Sequence, residues 1–142
     1  MRQLYKPEQE LGRGAFGVVR RARHSKTGQA CVVKAVSQEH GGEARSQLMG
    51  EGGILERLLR MSHEAPHPNI TQFLDVLIGT SCYYVVMEEL SGPELVQHVA
   101  DSQPAPEHEL QGITRQVLAA LAHLHDAVGI YHRDVKLGNF RF

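Results

Sequence analysis

Between residues 4 and 38 the chain reads as strands broken by turns. The stretch FGVVRRARH, Phe16 to His24, alternates roughly between apolar and polar positions, as a half-buried strand does. Ser25-Lys26-Thr27-Gly28 follows as a turn signal, and Ala30–Val36 then reads as a buried strand with one charge, Lys34, inside it. Strand, tight turn and strand make a hairpin, so the first third is expected to be antiparallel β. Over residues 43–61 the period lengthens: Leu48, Ile54, Leu55, Leu58 and Leu59 recur at roughly helical spacing. Gly50, Gly52 and Gly53 interrupt it, each costing about 1 kcal/mol relative to Ala in a helix interior, so this helix must lean on tertiary packing. It should end before Pro66. Residues 72–79 and 82–90 return to strand character, and Pro93 suits the first turn of a short helix. Beyond the loop at Ser102–Pro106, Leu110, Ile113, Val117, Leu121, Leu124 and Val128 are spaced by three or four, predicting a helix over 107–126. The closing GIYHRDVKLGNFRF has no helical period.

The order is a β-rich lobe with one helix, a short connection near 88–93 and the beginning of a helical lobe. Composition bounds what such a chain can do. With 142 residues it suits one domain, and 42% hydrophobic against 22% charged residues supplies a core. The formal charge of −1, with signs mixed, gives no basic footprint for nucleic acid and no polybasic membrane segment. The N-terminus lacks the apolar stretch of a signal peptide, and no window is apolar enough to span a bilayer. Cys31 and Cys82 lie far apart in β-like runs and read as reduced, buried thiols. An intracellular, cytoplasmic protein that binds neither nucleic acid nor membrane is expected.

Four motifs carry candidate chemistry. GRGAFGVV at 12–19 matches G-x-G-x-x-G-x-V, where glycines let the backbone approach phosphate oxygens. A dinucleotide-binding turn has the same spacing but must open a helix, whereas a strand follows Gly17 here; a ligand-free hairpin loop would also look alike. Lys34, flanked by apolar strand residues, is costly to bury unless an anion meets it, though it could snorkel. Glu51 on the glycine-interrupted helix could pair with Lys34, with Glu43 and Glu56 as rivals. Asp134, Lys136 and Asn139 in YHRDVKLGN place a carboxylate, a cation and a metal-capable amide in one loop. The histidines do not suggest a metal site: His63 and His67 have helical spacing but Pro66 lies between them, and His123 and His125 point to different faces.

Taken in order, these motifs resemble the protein kinase superfamily, Ser/Thr type, from about Leu11 to Asn139. The resemblance implies an α+β fold: an N-lobe of antiparallel sheet plus one helix over about 4–87, a hinge at 88–93, and the first helices of a C-lobe over 94–142. It implies ATP and Mg²⁺ as cofactors and a protein Ser/Thr hydroxyl as substrate. The loop over the phosphates would be Gly12, Arg13, Gly14, Ala15, Phe16, Gly17 and Val18. Lys34 would touch the α- and β-phosphates with Glu51 as its partner, the latter favoured by Ile54-Leu55 and the downstream His67-Pro68-Asn69-Ile70. Leu11, Val19 and Val32 would enclose adenine, Met87 would stand behind it, and the main chain of Glu88 to Leu90 would bond the base edge. Glu94 falls where many kinases touch ribose or a basic substrate residue. Asp134 would be the catalytic base, Lys136 marks the Ser/Thr type, and Asn139 would hold one Mg²⁺. Gly-Pro-Glu-Leu at 92–95 and HRDVK are similar to the calcium/calmodulin-dependent group.

Departures from the pattern are Val32 in place of Ala, the doublet Gly52-Gly53, an apparent insertion at Ser62–Pro66, and Arg141 where an apolar strand residue is expected. No D-F-G aspartate, activation loop or A-P-E segment follows Asn139. A truncated kinase is therefore expected, with a partner covering the apolar stripe of helix 107–126. The competing expectation is a catalytically inactive, kinase-derived module that binds nucleotide or protein.

Overall fold

The computed structural model of the chain describes residues 4–14, 17–37, 53–102 and 104–142. These fall into two compact units: one runs to Pro66 and resumes over Thr71–Glu89, the other comprises His67–Ile70 and Leu90–Phe142.

The first unit is a five-stranded antiparallel sheet with one helix. Its strands are β1 (Tyr5–Gly14), β2 (Gly17–His24), β3 (Ala30–Ser37), β4 (Phe73–Ile78) and β5 (Cys82–Glu88), in the order β1-β2-β3-β5-β4. The expected hairpin turn closes β2 onto β3, with Gly28 at φ 73° donating its N–H to the His24 carbonyl at 2.9 Å. His24 Nδ1 lies 2.9 Å from Thr27 Oγ1, a side-chain bond that such polar turn residues supply.

Register assigns every β2, β3 and β5 side chain to one of two faces, because alternate residues point to opposite sides. One face carries the core of Tyr5, Ala22, Cys31, Val33 and Val86, with Leu74, Leu77 and Tyr84 packed against it. A fully buried side chain such as Val86 stabilises the fold by about 1.5–3 kcal/mol. Tyr5 on β1 donates its hydroxyl to Asp75 Oδ2 on β4 at 3.3 Å, although β1 and β4 are opposite edges of the sheet. In a flat sheet four strand spacings of about 4.8 Å would separate them, so the sheet is rolled about this face. Register shifts in β1 and between Phe73 and Asp75 in β4 add the twist this requires. Ala22 and Cys31, both small, are buried in the same cluster as the tyrosine. Burial, with Glu89 and Glu8 nearby, pushes the Cys31 thiol up, so it stays protonated and inert. Cys82 is only half-buried, against the expectation of two buried thiols, because it begins β5 beside the exposed Ser81.

Helix α1 spans Ile54–Glu64, with Gly53 at its N-cap and its end just before Pro66. Of the expected helix over 43–61, residues 43–52 lie outside the described ones, and α1 continues three residues past 61. The apparent insertion at Ser62–Pro66 is thus largely the last turn of α1. Ser62 Oγ accepts the Phe73 N–H at 2.9 Å, tying the helix to β4.

In the second unit, α2 (Leu95–Asp101) and α3 (Glu107–Ala122) are joined by a hydrogen bond between His98 Nε2 and Glu109 Oε1. Glu107 and Glu109 sit in the first turn of α3, where the helix dipole favours negative charge. The helix expected over 107–126 changes pitch: a π-helical turn occupies His123–Val128 and closes at Gly129, φ 67°. Residues 67–70 dock here, with Asn69 Nδ2 donating to Gln116 Oε1 at 2.8 Å and the His67 and His123 rings 5.0 Å apart. No helix among the described residues is long and apolar enough to cross a membrane.

The end of the chain pairs with the start of α2. Leu95 N–H donates to the Phe140 carbonyl at 2.8 Å and Gly92 N–H to that of Phe142 at 2.9 Å. Arg141 bridges Glu94 through the backbone, and its Nε donates to the Gly92 carbonyl at 3.3 Å. An arginine is tolerated where an apolar residue was expected because position 141 is exposed.

Candidate active site

In the first unit, β1 and β2 meet at the glycine-rich hairpin, where Gly14 pairs with Gly17. Ala15 and Phe16 lie outside the described residues. The glycines differ in what the fold asks of them. Gly17 sits at φ 133°, and a Cβ there would stand 1.7 Å from the Ala35 carbonyl oxygen, so glycine is structurally required. Nothing lies within 4 Å of a Cβ placed at Gly12 or Gly14, and neither has left-handed backbone. The fold leaves open space at both positions. Arg13 points outward and pairs with Glu10 at 3.3 Å, and Leu11 is exposed.

Facing away from the core is a second row of side chains. Val19 is paired with Lys34 and Lys34 with Val85; Arg21 is paired with Val32 and Val32 with Met87. Val19, Val32, Lys34 and Met87 therefore share one face of the sheet, all half-buried. Val18 falls in the opposite row, paired with Ala35. Glu51 lies outside the described residues.

At the end of β5, Glu88 is fixed by reciprocal bonds to Gln72: its N–H reaches the Gln72 carbonyl at 3.0 Å, and its Oε1 accepts the Gln72 N–H at 2.8 Å. The next residue, Glu89, takes Arg21 Nε on its Oε1 at 2.6 Å. Arg21 did not stand out in the sequence, and Glu89 entered only through its main chain, not its carboxylate. The period-two pattern alone, which puts Arg21 on the side of Val19, was the signal available. Leu90 is half-buried and belongs to the second unit.

The second unit carries the loop Tyr131–Asn139, exposed throughout. Arg133 adopts φ 63°, a left-handed backbone unusual for a non-glycine residue and costing about 1–3 kcal/mol. That turn folds the loop so that His132 Nδ1 accepts the Asp134 N–H at 3.2 Å. A 3₁₀ turn at Leu137–Asn139 then brings Asn139 back. Its Nδ2 donates to the Asp134 carbonyl at 2.7 Å and to Asp134 Oδ2 at 2.9 Å, and Lys136 Nζ lies 2.9 Å from the same Oδ2. The Lys136 and Asn139 bonds hold the Asp134 carboxyl below the usual aspartate range, with the nearby Lys136 and His132 adding to the effect. Because both amide bonds use Nδ2, the Asn139 carboxamide oxygen is left as an acceptor suited to a hard cation. Among the described residues no three His, Cys, Asp or Glu side chains form a metal cluster.

A unit made of a rolled five-stranded sheet with a glycine-rich hairpin and a lysine-bearing face, followed in the chain by a helical unit with an Asp-Lys-Asn loop, is the composition of a protein kinase N-lobe and the start of its C-lobe. The chain belongs to the protein kinase family, whose domain model matches residues 5–141 and so extends through Arg141. It is 35% identical over 133 residues to the hormonally up-regulated neu tumor-associated kinase of Homo sapiens, covering 92% of this chain and 18% of that protein. It is 39% identical over 132 residues to the putative ribosomal protein S6 kinase alpha-2 of Caenorhabditis elegans, covering 93% and 16%. The crystal structure of Rad53 1-466 in complex with AMP-PNP aligns at a TM-score of 0.76 and 31% identity, covering 96% of this chain and 34% of that one. The chain thus spans less than a fifth of the length of these curated relatives.

Proposed function

We propose that this chain carries the nucleotide-binding and proton-handling residues of an ATP-dependent protein serine/threonine kinase acting in the cytoplasm. The observation that carries the reading is the Asp134–Lys136–Asn139 cluster, a set that phosphoryl transfer needs and simple nucleotide binding does not. On the sheet, Val19, Val32 and Met87 offer an apolar seat for adenine and Lys34 a cation for the phosphates. Gly12 and Gly14 leave the space that phosphate oxygens would take. AMP-PNP, named with Rad53, has this adenine-and-triphosphate chemistry.

The depressed carboxyl of Asp134 stays ionised and orients the substrate hydroxyl. A base this weak takes the proton only as the oxygen bonds to phosphorus, which suits the loose transition state of phosphoryl transfer. Lys136 supplies positive charge beside the transferring group, and its place two residues after Asp134 favours Ser/Thr over Tyr as acceptor. Asn139 would hold Mg²⁺ through its carboxamide oxygen; the bound ion neutralises charge on the phosphates.

The test is transfer of labelled γ-phosphate to Ser/Thr peptides by the wild-type chain and by Asp134→Asn. The reading expects transfer that falls by at least about a hundredfold in the variant, the scale of removing a general base. ATP binding without transfer in either protein would instead support the non-catalytic binding module.

A further inference from the structure

We infer that Arg21 is a positioning residue for adenine recognition, acting through Glu89 on the main chain that follows β5. The inference rests on the nucleotide reading above. Strand pairing ends at Glu88, so the chain beyond it has no ladder to fix its N–H and C=O groups. Two contacts anchor the chain where the ladder ends. On the β4 side Gln72 grips Glu88 through both backbone and carboxylate. On the β2 side Arg21 directs Nε and Nη2 to a single Glu89 oxygen, at 2.6 and 2.5 Å.

Arg21 stands in the row with Val32 and Met87, two strands from β5, so its side chain crosses β3 beside Val32 to reach Glu89. It thereby flanks the apolar seat while holding its rim. An exposed ion pair would do little here, but the Glu89 side chain is only 18% exposed. A carboxylate so covered is costly without a partner, which makes the contact a constraint on the backbone. Hydrogen bonds to a base edge depend on where main-chain donors and acceptors stand, so releasing Glu89 would blur that edge and leave the phosphate contacts at Lys34 and the glycines intact.

Titration calorimetry with ATP and with inorganic tripolyphosphate, each in excess Mg²⁺, separates the two ends of the ligand. Arg21→Met should weaken ATP binding by roughly three- to tenfold, as expected for a charge-assisted, partly covered pair, with tripolyphosphate affinity unchanged. Arg21→Lys should restore part of the loss, and Arg21→Met with Glu89→Gln should be no worse than either alone. Unchanged ATP affinity in Arg21→Met overturns the inference, as does equal loss of both ligands, which would mark a general loosening of the sheet. A wild-type chain that binds tripolyphosphate no more weakly than ATP, or binds neither, removes the nucleotide reading itself.

Discussion

An alanine at Gly17 would drive its Cβ into the Ala35 carbonyl and would have to hold a φ of 133°, whereas the same change at Gly12 or Gly14 meets open space. The three glycines look equivalent in G-x-G-x-x-G, and their different duties emerge only from the register of β1, β2 and β3. Gly17→Ala should therefore destabilise the chain by about 2 kcal/mol or more, read as a fall in the urea midpoint. Gly14→Ala should stay within about 0.5 kcal/mol of wild type yet bind ATP more weakly, as calorimetry would register. The loop carboxylate gives a second test. Asp134 is depressed by Lys136 and Asn139, so its charge-dependent contribution is present above the ordinary aspartate range and is lost as pH falls through the folded value. Lys136→Met should raise the Asp134 pKa towards that ordinary value, followed by carbon-detected NMR of the carboxyl group.

Tyr5 and Asp75 show what strand patterns hide. Strand β2 was legible from its alternation, β3 as a buried apolar run around Lys34, and the β2–β3 hairpin from its turn residues. That β1 and β4 close on one another through a bond between residues 70 apart follows from the rolling of the sheet, which has no local signal. The same holds for Arg21 and Glu89, and for the change of pitch at His123, where the turn closes at left-handed Gly129 and the Ile130 N–H bonds back to the Leu124 carbonyl. Burial and Asp75 together push the Tyr5 hydroxyl up to about 12 from 10.0. A raised value in the folded state means that its contribution is complete below pH 10 and is lost as pH climbs towards 12. Tyr5→Phe should cost about 1 kcal/mol near neutrality, and its stability should decline less steeply between pH 10 and 12 in denaturant titrations.

At the scale of the molecule, residues 67–70 group with the helices although the chain on either side belongs to the sheet unit. The sequence marked His67-Pro68-Asn69-Ile70 as a family segment without saying where it docks, because Gln116 and His123 are distant along the chain. Asn69→Ala should lower the stability of the helical unit by about 1 kcal/mol, seen in hydrogen exchange of α3. The claim that organises the whole is that the sheet face bearing Val19, Val32, Lys34 and Met87 seats the nucleotide. Lysine acetylation followed by mass spectrometry, with and without Mg·ATP, reads that face directly. Bound Mg·ATP should protect Lys34 strongly, with Lys6 and Lys26 modified at unchanged rates. Lys34 reacting equally fast in the presence of saturating Mg·ATP would contradict the claim.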